Sequence, residues 1–135
     1  MVEETLGQQK LPADFTEAVI EEALSRGRQL LEEKRWIEAK VEFCKITATI
    51  GGHMEAQRGL ALALDGQVNA MLDEGTEPLD EKRVQEALAA LEEAYRLGAR
   101  DRDTVWSLGG FYFSTHRFEE EARILEAYAS ETGEA

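Results

Sequence analysis

The segment SLGGFYFSTHRFEEEARIL, residues 107–125, decides how the rest of the chain is read. Its first half is apolar at Leu108 and Tyr112, His116-Arg117 interrupts it, and Phe118, Ala122 and Leu125 resume an apolar stripe at helical spacing. Two helices joined by so short a turn must lie antiparallel. The second stripe has an earlier counterpart, since Phe118 follows Val84 by 34 residues and Leu125 follows Leu91 by 34. Trp36 and Phe43 precede Val84 and Leu91 by 48 each, which breaks the period by 14. The glycines locate the break: Gly27 to Gly59 is 32 residues, whereas Gly59 to Gly109 is 50. The surplus therefore lies between Gly59 and Val84, where residues 71–81, with Gly75 and Pro78, read as an inserted loop.

The remaining stripes follow outward from there. Asp14, answered by Glu17, can cap a first helix carrying Val19, Ala23, Gly27 and Leu30. Trp36, Ala39, Phe43, Ile46 and Ile50 form a second stripe that stops at Gly51-Gly52. Ala56, Gly59, Leu60, Ala63, Gln67 and Met71 form the third. Asp80 can cap the fourth helix, which ends at Gly98, and Asp101 or Asp103 the fifth; Gly133 closes the sixth. No segment sustains period-two alternation, so the expectation is an all-α single domain over residues 14–132, preceded by a flexible tail at 1–13.

The 34-residue spacing is the tetratricopeptide period. The chain resembles that family through Leu108-Gly109, Tyr112 and Phe118 in its last repeat. Gly27, Leu30, Trp36, Ala39 and Phe43 supply the anchors of the first repeat, and Gly59, Leu62, Ala87, Leu91 and Ala94 those of the second. Two departures are Ala122, one place late relative to Ala39 and Ala87, and the lack of proline at the repeat ends. The resemblance implies antiparallel helical hairpins stacked as a short right-handed superhelix of roughly three repeats, six main helices in all. It also implies a concave groove formed by the first helix of each repeat. Aligned on the glycines, its lining would be Leu24, Arg28 and Leu31, then Ala56, Leu60 and Ala63, then Trp106, Gly110 and Phe113.

Composition narrows the function. The 135 residues carry 28 acids against 15 bases, a formal charge of −13, which opposes the phosphate neutralisation that nucleic-acid binding needs. The start Met1-Val2-Glu3-Glu4-Thr5 carries acids where a secretory signal carries bases, and no apolar run spans a bilayer, so a cytoplasmic protein without membrane insertion is expected. His53 and His116 lack companions at metal-ligand spacing, and Cys44 lacks a local histidine signature. Asp73, Gly75, Glu77 and Asp80 fail as a calcium loop because Pro78 stands where the sharp-turn glycine belongs. Acid pairs such as Glu21-Glu22 and Glu92-Glu93 point different ways on a helix and read as solvated faces. Neither catalysis, a metal nor a cofactor is expected.

What these residues suit is a protein–protein interaction module, adaptor or chaperone-like, whose groove takes an extended or amphipathic helical segment of a partner. Residues 1–67 carry a net −4 and residues 68–135 a net −9, which favours a basic amphipathic helix as that partner. Two alternatives stay open. One is a tetratricopeptide-class chaperone of type III secretion, whose second repeat Gly59-Leu60 through Gly66-Gln67 resembles. The other is a structural element that self-associates into a homo-oligomer through the same apolar surface.

Overall fold

A computed structural model describes residues 16–73, 75 and 81–133. The described residues form six α-helices: α1 (Glu17–Glu32), α2 (Trp36–Thr47), α3 (Met54–Asp73), α4 (Glu81–Arg96), α5 (Arg102–Ser114) and α6 (Phe118–Thr132). No strand occurs among them. Each odd-numbered helix packs against the even-numbered one that follows it, and α2 and α4 also pack against the next odd-numbered helix. α1 touches α3 and α3 touches α5, so the three hairpins stack in sequence. This is an all-α helical-repeat arrangement.

The hairpin turns show the repetition in detail. Lys34 and His116 both take the left-handed region, at φ 61° and 63°. The following Arg35 and Arg117 N–H groups donate back to the Leu30 and Tyr112 carbonyls, at 2.9 and 2.7 Å. These backward bonds satisfy carbonyls at the helix ends, as a Schellman closure does. Each arginine then reaches forward into the next helix, Arg35 to Glu38 and Arg117 to Glu120. Two turns 82 residues apart in the chain are thus built alike.

Close approach between helices depends on glycine. A Cβ on Gly27 of α1 or on Gly59 of α3 would lie within 3 Å of several carbons of the Phe43 ring. Phe43 is fully buried between them, and Gly66 gives the Trp36 ring the same clearance. Gly109 differs: its nearest neighbour would be a Leu125 methyl at 3.7 Å, an ordinary contact. Two buried clusters result. One joins Ile20, Leu24, Phe43 and Ile46 to the start of α3. The other joins Leu64 and Val68 to Leu91, Leu108 and Tyr128, and half-buried Leu60 packs against both. The Tyr112 hydroxyl donates to Glu92 at 2.7 Å while Arg117 stacks on its ring at 4.8 Å, tying α4, α5 and the start of α6 together. Burial, and then the Glu92 carboxylate, push the Tyr112 phenol well above its ordinary range.

Several expected boundaries move. Asp14 lies outside the described residues. The helix begins at Glu17 because the Thr16 side chain accepts the Val19 N–H and Thr16 itself is extended. α2 stops at Thr47, ahead of Gly51-Gly52, and Ile50 packs on the first core from the turn. Asp101 rather than Asp103 caps α5, and Gly133 closes α6 at φ 79°. The expected tail at 1–13 and the capping Asp80 fall outside the described residues. The insertion is largely helix. Gly59 stands 14 residues before the end of α3, whereas Gly27 and Gly109 stand 5 before the ends of α1 and α5. α4 likewise begins three residues before Val84, while Trp36 and Phe118 are the first residues of their helices.

The glycine contacts give a paired expectation. Gly59→Ala forces the Phe43 ring out of place and costs about 1–3 kcal/mol by overpacking. Gly109→Ala adds helix propensity without a clash and raises stability by up to about 1 kcal/mol. Chemical denaturation of the two variants beside the parent checks both signs.

Candidate groove and its central carboxylate

α1, α3 and α5 border a cleft of about 720 Å³. Arg28 and Leu31 line it from α1, Leu62 and Asp65 from α3, and Trp106 and Ser107 from α5. A second, narrower slot of about 390 Å³ lies between the far end of α3 and α5, and its walls are mainly apolar. Val68 and Leu72 of α3, Val84 of α4 and Gly110 and Phe111 of α5 form those walls. Asp65, Asn69, Trp106 and Ser107 border both spaces. The slot exists because α3 continues for more than two turns beyond the length of its counterparts. Residues of the insertion therefore build one of its walls.

The charges around the cleft are arranged unequally. Arg58 grips Asp101 with two hydrogen bonds of 2.9 Å, joining α3 to the start of α5. Asp101 also accepts the Thr104 N–H and hydroxyl, which caps α5 and satisfies the buried Thr104. Burial alone would raise the Asp101 carboxyl, but hydrogen bonds from Arg58 and Thr104 outweigh it and hold the pKa down to about 2. Arg28 pairs with Glu55 at 3.4 Å. Asp65 has no such cation. It accepts the Ser107 hydroxyl at 3.0 Å and a bond from Asn69, both neutral, and burial pushes its carboxyl above the ordinary value.

The nine residues expected to line the groove divide into several groups. Arg28 and Leu31 line the cleft, Gly110 lines the slot, and Trp106 lines both. Leu24, Ala56 and Ala63 do not line it: they are buried in the first core, because the close packing of α1 and α3 turns these faces toward each other. Leu60 is half-buried between the two cores. Phe113 is exposed at the turn, edge-on to Phe118 at 5.8 Å and apart from both spaces. On α3 the open strip is Arg58, Leu62, Asp65 and Asn69. Contact with α1, α2, α4 and α5 leaves this helix only one narrow free face. Alignment on glycines alone could not foresee that rotation. One signal was present: Asp65 is the sole charged residue from Gly59 to Leu72.

The other residues weighed for chemistry have local roles or none. His53 Nδ1 accepts the Ala56 N–H at 3.2 Å and so caps α3. His116 stacks edge-on to Phe118 in its turn. Cys44 is a free, half-buried thiol. No group of three metal-ligating side chains occurs among the described residues, and Glu77, Pro78 and Asp80 lie outside them. No described helix is long and apolar enough to cross a membrane. Comparison with protein-family models, with curated proteins and with solved structures finds no match to this chain.

The two carboxylates titrate with opposite signs. Asp101 has a depressed pKa, so its contribution is present above the unfolded value of about 4 and is lost as pH falls toward about 2. Asp101→Ala should cost about 1 kcal/mol at neutral pH, with a deficit that shrinks across that acid window. Asp65 has a raised pKa, so the folded state loses stability as pH rises from the ordinary carboxylate value through the raised one. Asp65→Asn should match or exceed the parent in melting temperature at pH 7, with the difference narrowing on acidification. Thermal melts across a pH series read both effects.

Proposed function

We propose that this chain is a cytoplasmic protein–protein interaction module of tetratricopeptide-like build, an adaptor or chaperone-like protein rather than an enzyme. Its groove holds an extended or amphipathic helical segment of a partner. The observation that carries this reading is Trp106. It is 49% exposed where the cleft and the apolar slot meet, with its edge against Tyr128 at 5.2 Å. A large aromatic ring held in place beside a concave apolar surface is the kind of residue that anchors an interface. Exposed Leu72 adds apolar surface at the far end of the slot.

A second reading has its own observation. Ile37 and Val41 stand one turn apart on α2, 64% and 52% exposed, and border neither the cleft nor the slot. They suit contact between copies of the chain.

The two readings separate by substitution. Trp106→Glu should abolish capture of a partner from the native cell extract, read by mass spectrometry, with helicity by circular dichroism unchanged. Ile37→Glu/Val41→Glu should leave capture intact. If sedimentation instead shows a concentration-dependent mass that Ile37→Glu/Val41→Glu removes and Trp106→Glu does not, self-association is the function of the apolar surface.

A further inference from the structure

Resting on that reading, we propose that the groove selects a partner segment bearing a lysine or arginine that pairs with Asp65, while a neighbouring apolar side chain of the segment enters the slot between α3 and α5.

Geometry is the first support. Asp65 borders both spaces, so a side chain reaching its carboxylate from the cleft passes beside Trp106, and the next part of the segment meets Val68, Leu72 and Val84. The distribution of charge is the second. Arg28 and Arg58 are already paired with Glu55 and Asp101. Asp65 is held only by Ser107 and Asn69, which orient the carboxylate without neutralising it. A carboxylate beside apolar walls and without a cation is costly to the folded chain, and an incoming ammonium or guanidinium offsets that cost. The Trp106 ring has Arg102 over it at 5.4 Å, which shows its face open to a cation. The net charge of −13 steers a basic segment toward the surface. A peptide fits better than a small amine, because the slot continues into a cleft nearly twice its volume bordered by three helices.

The test is selection of a random peptide display library on the full-length chain, on Asp65→Asn and on Trp106→Glu. Binders selected on the parent should be enriched in lysine or arginine next to large apolar residues. A synthetic peptide from that set should bind at least about tenfold more weakly to Asp65→Asn. Replacing its basic residue by norleucine should cost as much on the parent and nothing further on Asp65→Asn. Because the peptide is altered there and the protein is not, this arm does not depend on how the variant folds. Binders that require Trp106 but show neither basic enrichment nor sensitivity to Asp65→Asn overturn the assignment of Asp65 and leave the groove reading standing. Binders indifferent to Trp106→Glu, or no binders at all, overturn both.

Discussion

The Phe43 ring between Gly27 and Gly59 is the contact on which the rest of the arrangement depends. Both glycines present bare backbone to the ring, so α1 and α3 come close enough to touch each other as well as α2. With a side chain at either position the first hairpin would be held away from α3. α3 in turn packs against α1, α2, α4 and α5 and contributes to both buried clusters. A displacement at Phe43 therefore reaches every hairpin through one helix. This is the nearest-neighbour logic of stacked repeats, concentrated here because the array is short.

The same crowding defines the groove. A helix in contact with four others has little free surface, and on α3 what remains is the strip from Arg58 to Asn69. Arg58 uses its place on that strip to hold the capping residue of α5, so the second and third hairpins are joined at the rim by an ion pair. Asp65 occupies the middle of the strip and has only neutral partners. The insertion contributes the rest. By prolonging α3 it places Val68 and Leu72 opposite α5 and turns an open concave face into a walled slot. The interruption of the repeat is thus part of the surface that distinguishes the middle hairpin from its neighbours.

Much of this could be read from the order of residues. The stripes from Trp36, Val84 and Phe118 mark α2, α4 and α6, because only one face of each helix meets the core and its period is visible. The spacing of Gly27, Gly59 and Gly109 located the surplus correctly, though not its conformation. Residues 65–73 contain no strong helix breaker besides Gly66, and Gly66 is tolerated because Trp36 fills the space above it. The groove was less legible. Leu24, Ala56 and Ala63 looked like lining and are core, whereas Arg58, Leu62 and Asp65 looked incidental and form the lining. Periodicity says that a helix has an apolar face but not which neighbour covers it.

By itself the sequence determined six helices, their pairing by short turns and a repeat interrupted once. These follow from local periodicity, turn residues and chain length. Only the tertiary structure decided which glycines are needed: Gly27 and Gly59 stand against a ring, while Gly109, aligned with them, stands against a methyl group with room to spare. It likewise decided that Asp65, one acid among 28, is the one in the groove without a cation. Both outcomes depend on how each helix is rotated about its own axis. That rotation is set by the packing of α3 against four partners at once, a constraint that no single stretch of the chain contains.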